Sequence, residues 1–230
     1  MTPVADDIVK PVLQQLMPSL LLSAKALGFN VRPSNTLNEA TRLVCASQII
    51  CAAVAGCCHA TEPSILIRRE ESLSSAYAEG RADYLANLCS DPEIFDVSIL
   101  VMEGKSLDMI QGTAQVIMSL DAMDRQNRSS RFSDIDHLYG LVTTLKHWRL
   151  IKYTPSIRPG YPTELAQCDL PSLNLRNLNE ATVGPVLASV MSVVQAANTT
   201  LRKAIHSAHS HARKRAQQQC DVEFQGDPVL

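Results

Sequence analysis

The segment "VSILVMEGK", residues 97–105, constrains this chain more than any other. Side chains in a strand point alternately to opposite faces. Ile99, Val101, Glu103 and Lys105 therefore share one face, and Leu100, Met102 and Gly104 the other. Apolar residues before Glu103 occupy both faces, so the segment reads as a central strand covered on both sides. That demands a sheet with flanking helices. It also leaves a question: a carboxylate and an ammonium close a run that is otherwise built for burial.

The rest of the pattern agrees with such a sheet. Residues 5–28 alternate at helical spacing, broken by Pro11 and Pro18, and read as one kinked or two short helices ending near Gly28. A second, mostly buried helix opens after Thr36, a candidate N-cap, with Glu39 where a capping-box acid belongs. "SILIRRE", "GRADYLANL" and "VSILVMEGK" read as three successively antiparallel strands, the last two joined by the turn "SDPE". "SLDMIQGTAQVIMSLDAM" returns to helical spacing, and "RQNRSSRFSD" reads as a polar, basic loop. "HLYGLVTTLKHWRLIKYT" reads as two strands turning near Lys146 and His147. The expected organisation is an N-terminal helical extension at 1–35, an α/β (α+β) core at 36–155, an irregular proline-bearing connection at 156–178, a C-terminal helix at 179–218 and a tail at 219–230. The core sheet is expected to be mixed, with about five strands.

Composition narrows the function classes. A net charge of −2 over 230 residues argues against a globally basic nucleic-acid binder, though not against a local basic patch. The opening "MTPVADDIVKPVLQQL" carries acids early and lacks a basic-then-apolar leader, and no uninterrupted apolar run is long enough to cross a bilayer. The seven cysteines are odd in number, irregularly spaced and without a CxxC pair. These features predict an intracellular setting, cytoplasm or nucleus, with no membrane partner. "CCHA" at 57–60 has no second ligand pair at zinc-like spacing, so small thiols on an alanine-rich helix are its better account.

The polar residues at the end of the central strand carry the chemistry. Glu103 and Lys105 project side by side, about 7 Å apart along the chain. Asp83 lies on the preceding strand, where antiparallel pairing brings it beside Glu103. Two adjacent carboxylates repel, and a divalent cation relieves the repulsion. Hard oxygen ligands suit Mg²⁺ or Mn²⁺. The predicted metal ligands are Asp83, Glu103 and the carbonyl of Gly104, with Lys105 placed to position or activate a water. A plainer reading stays open, in which Asp83 and Lys105 form a structural ion pair at a strand end.

A D…ExK set on adjacent strands, with a helix before and a glutamine-bearing helix after, resembles the PD-(D/E)XK nuclease superfamily over roughly residues 36–154. "LYGLVTTLKHWRLIKY" resembles the strand pair of fungal and oomycete members, including Crinkler-type effectors. The resemblance implies a restriction-endonuclease-like core and a metal-dependent nuclease, acting on DNA more than RNA. It makes Asp83 and Glu103 the metal-binding acids and Lys105 the catalytic lysine. Glu39 becomes the acid many members place near the metal, and Gln115 the glutamine of the following helix, with Gln111 as its alternate. Ala82 stands where the name-giving proline would be. Glu39 as a simple capping acid and Gln115 as a solvated helix residue remain alternatives. Arg68, Arg69, Arg81, Arg125, Arg128 and Arg131 are candidates to grip flanking phosphates. A homodimer spanning a duplex fits the helical ends. The alternative function is a catalytically inactive protein of the same fold that binds nucleic acid or a protein partner. A more distant one is an all-helical adaptor.

Overall fold

The computed structural model describes residues 3–29, 38–58, 64–74, 79–89, 97–105, 108–129, 135–156 and 163–224. Two helices, α1 (Asp6–Ala26) and α2 (Glu39–Cys58), precede three strands, β1 (Ser64–Ser74), β2 (Glu79–Cys89) and β3 (Val97–Gly104). Helix α3 (Met109–Ser129) follows, then β4 (Leu138–Thr143), β5 (Trp148–Thr154), β6 (Glu164–Asp169) and the long helix α4 (Glu180–Phe224). The strands form one mixed sheet in the order β1-β2-β3-β4-β5-β6. Only β3 and β4 run parallel; every other neighbouring pair is antiparallel. The all-helical alternative is thereby excluded.

All eight residues of β3 and all six of β4 are buried, as expected for strands covered on both faces. Helix α3 lies on one face. A Cβ built on Gly140 of β4 would overlap Val116 of α3, so the missing side chain is what lets helix and strand approach. Helices α2 and α4 cover the other face, where a Cβ on Gly104 would overlap Leu43 of α2. Helix α1 packs on α2 and α4 through Val9, Leu13, Leu16, Met17, Leu20 and Ala24. This apolar seam keeps α1 a single helix through Pro11 and Pro18, and Gly28 ends it at φ 79°. Glu39–Cys57 and Glu180–His211 are each apolar and long enough to cross a membrane, by length and composition alone. Both contribute to the core, α2 through Cys45, Ala46, Ile49, Ile50, Ala53 and Val54 and α4 through its stripe from Val183 to Ala204.

Several sequence expectations are corrected. Among the described residues the sheet has six strands rather than about five, because β6 falls inside the expected irregular connection at 156–178. Every residue of β6 is exposed; backbone pairing to β5 holds it, so no apolar alternation marks it. Helix α4 continues to Phe224, past the predicted end at 218. Arg125 and Arg128 are helical, not in a loop: each bonds an aspartate one turn earlier, Asp121 at 3.0 Å and Asp124 at 2.9 Å. Asn38 caps α2 by accepting the Thr41 N–H at 2.8 Å, so Glu39 begins the helix instead of closing a capping box. Thr36, the "SDPE" turn, His59 and Arg131 lie outside the described residues.

The close approach of α3 to β4 generates a test. Gly140→Ala is expected to destabilise the protein by about 1–3 kcal/mol, as overpacking does. Val116→Ala in the same chain should recover part of that loss. Denaturant midpoints of the two single variants and the double variant check the coupling; purely additive losses would contradict the contact.

Candidate active site at the C-terminal end of the parallel strands

β3 and β4 end together, with Gly104 beside Thr143 and the Lys105 N–H donating to the Thr143 carbonyl at 2.8 Å. Helices α2 and α3 begin at this same end. Asn38 caps α2, and Asp108 caps α3 by accepting the N–H groups of Ile110 and Gln111, both at 2.9 Å. The first turn of each helix approaches Lys105: Glu39 from α2, and Gly112 from α3, where a Cβ would press on the Lys105 side chain. Two positive helix ends therefore face one patch.

Into that patch the sheet delivers the acids. Pairing of β2 with β3 runs through Tyr84 and Met102, which sets Asp83 one step further along, beside Glu103. Asp83 Oδ2 accepts the Gly104 N–H at 2.7 Å. Glu103 is buried, 3% exposed, and its Oε2 lies 3.3 Å from Lys105 Nζ. Lys105 Nζ is also 3.9 Å from Glu39 Oε1. Asp83, Glu103, Lys105 and Glu39 are thus brought together from β2, β3 and α2. Loss of solvation first, and the Asp83 charge second, push the Glu103 carboxyl up from 4.5 to about 7, against the opposing pull of Lys105.

The two candidate glutamines of α3 differ in burial. Gln111 is exposed, while Gln115 is half-buried and its buried Oε1 finds no hydrogen-bond donor among the described residues. Gln115 stands three residues after Gly112, the α3 position that touches Lys105. Arg42, missed in the sequence, belongs to the same surroundings: it is 4% exposed, and its Nη1 approaches the Thr144 carbonyl at 3.5 Å. Its signal was the i, i+3 spacing from Glu39. Gly104 also has a role beyond an open carbonyl, since only a glycine leaves room for Leu43.

Among the described residues no three His, Cys, Asp or Glu side chains form a cage for a metal ion. Asp83 and Glu103, side by side at the strand end, offer the hard oxygen donors that a divalent cation takes. Charge on Glu103 is disfavoured where it stands, and Gln115 presents a further buried oxygen acceptor.

Arg68 is half-buried; the side chains of Arg69 and Arg81 lie outside the described residues. Trp148 and Tyr153 are core residues, and the Trp148 indole donates to the Leu145 carbonyl at 2.8 Å. Burial pushes the Cys45 thiol up to about 11, as suits an inert core cysteine.

The raised Glu103 pKa has a definite sign in stability. A carboxyl that prefers its proton in the folded state destabilises the fold as pH rises from 4.5 through about 7. The loss is about 3 kcal/mol when complete. Glu103→Gln should therefore raise the Tm of the metal-free protein at pH 8 and leave it nearly unchanged at pH 4.5; thermal melts at the two pH values check this. Comparison of the chain with protein-family models, with curated proteins and with solved structures finds no match in any of the three.

Proposed function

We propose that this protein is a metal-dependent nuclease with a restriction-endonuclease-like core, hydrolysing phosphodiester bonds of DNA in preference to RNA. One observation carries the reading: Asp83, Glu103 and Lys105 meet at the end of a buried parallel strand pair, with the carboxyl of Glu103 raised by burial and by its acidic neighbour. The order of elements supports it, since an antiparallel hairpin delivers Asp83 and Glu103 and helices flank both faces.

Asp83, Glu103 and the Gly104 carbonyl would hold the divalent cation, Mg²⁺ or Mn²⁺. When bound, it neutralises charge on the scissile phosphate and makes water a better nucleophile. Lys105 sets a positive charge against the phosphate oxygens, where negative charge grows during attack. Glu39 and Glu103 hold that ammonium from two sides and fix its position. Gln115 offers a buried amide to order a water or a ligand at the same place. The N-terminal ends of α2 and α3 favour an anion here. Hydrolysis then forms one phosphorus–oxygen bond from water and breaks the ester bond opposite.

A second reading is a protein of this fold that binds nucleic acid or a partner protein without cutting. Lys105 engaged by two carboxylates favours it, because an ion-pair cluster of that kind needs no substrate to explain it.

Incubation with plasmid and with single-stranded DNA separates the two. Cleavage is expected with Mg²⁺ or Mn²⁺ and not with EDTA. Asp83→Asn and Lys105→Ala should each lower the rate about 100-fold or more, with the folded state retained by circular dichroism. Binding without cleavage in the native chain would select the second reading, and cleavage undiminished in both variants would remove the site from either.

A further inference from the structure

A cleft of about 350 Å³ opens next to this site, between the β4–β5 turn and the segment 172–176. Lys146, Ser172, Asn174 and Arg176 line its rim and are exposed, while Leu173 and Leu175 alternate with them and are buried in the core. The segment turns at 174–177, where the Asn177 N–H donates to the Asn174 carbonyl at 3.1 Å and the Arg176 N–H to Asn174 Oδ1 at 3.2 Å. The Leu173 N–H donates to the Lys146 carbonyl at 2.8 Å, which ties the segment to the β4–β5 turn. Among the described residues no acid lines the cleft.

The charge state of the rim sets it apart. Arg125, Arg128 and Arg149 are each neutralised by an aspartate, Asp121, Asp124 and Asp169 respectively. Lys146 and Arg176 meet no carboxylate among the described residues. Two uncompensated cations thus face a concave space of nucleotide size in a chain whose net charge is −2.

The cleft and the acids are linked through one strand end: Thr143 pairs with Gly104, and Lys146 follows Thr143 by three residues, a chain reach of about 10 Å at most.

The geometry points to a phosphate-binding subsite at Lys146 and Arg176 that holds the nucleic-acid strand beside the scissile position, with Ser172 and Asn174 as polar contacts. This rests on the nuclease reading of the neighbouring site. It commits the cleft to a phosphodiester backbone and makes no claim on base sequence, since a lysine and an arginine on phosphates position a strand without reading it.

Fluorescence anisotropy of the full chain with a labelled single-stranded oligonucleotide, in EDTA so that nothing is cut, tests the subsite. The Lys146→Glu, Arg176→Glu double variant should bind at least tenfold more weakly. The milder Lys146→Ala, Arg176→Ala pair should lower the slope of log affinity against log salt by about 1–2. Arg176→Lys should retain most binding, and Lys10→Glu on α1 should change little. With Mg²⁺, the double variant should raise KM and leave kcat near the native value. Unchanged affinity and salt slope in both double variants overturn the subsite, even where the native chain cleaves. Binding to anionic phosphatidylserine vesicles but not to the oligonucleotide also overturns it. If Asp83→Asn leaves cleavage undiminished while the cleft variants still lose DNA, the catalytic reading fails and the subsite stands.

Discussion

Burial of β3 on both faces is the constraint from which the rest of this structure follows. Val97–Gly104 lies wholly out of solvent, between α3 on one side and α2 with α4 on the other. A strand so placed can carry a polar side chain only near its end, and only at a cost. The parallel pairing with β4 brings two strand ends together at one edge of the sheet, where ligand sites form in sheets of this kind. The first turns of α2 and α3 open toward that same edge. Glu103 therefore sits in a dry place beside a second acid, which explains why its charged form is disfavoured, while half-buried Asp83 has a backbone N–H to accept from.

What could be read in the sequence was what depends on short-range pattern. The apolar run Ile99–Met102 before Glu103 declares a central strand, and antiparallel pairing with the preceding strand can bring Asp83 beside Glu103. Features governed by partners distant in sequence were hidden. Asn127 looks like a loop residue, yet it is 1% exposed and holds α3 helical to Ser129 by bonding Ser98 on β3. Gly104 reads in the sequence as a means of freeing a carbonyl, whereas its main constraint is Leu43, a residue on α2. Lys146 and Arg176, 30 positions apart, show no local relation at all; the loop that packs Leu173 and Leu175 brings them to one rim. The strand β6 is exposed throughout and leaves no apolar trace.

The turn between β4 and β5 connects the candidate site to the neighbouring cleft, and it is unusually costly. Leu145 adopts φ 66°, a left-handed conformation that costs a non-glycine residue on the order of 1 kcal/mol or more. Four hydrogen bonds offset this. The Leu145 N–H donates to Thr143 Oγ1 at 2.8 Å, and the Trp148 indole donates to the Leu145 carbonyl at 2.8 Å. Thr144 and His147 bond each other twice, at 3.0 and 3.2 Å. A turn held this firmly keeps the Thr144 carbonyl facing Arg42 and the Lys146 backbone paired with Leu173, so the cleft has a fixed relation to Lys105.

The two ends of β3 treat their polar groups oppositely, and the contrast bears on function. At the start of the strand, Asn127 completes the backbone of Ser98: its Oδ1 accepts the N–H at 3.1 Å and its Nδ2 donates to the carbonyl at 2.7 Å. That is the arrangement expected where a buried polar residue serves the fold, with each group satisfied. At the other end, Glu103 is as deeply buried, yet its surroundings disfavour its charge, and Gln115 nearby keeps an oxygen without a donor. An apolar residue at 103 would suit the strand better than a carboxylate whose protonation midpoint is forced up to about 7. In the proposed nuclease, a bound cation would offset the charge of Glu103 and Asp83, and an anionic substrate would face Lys105.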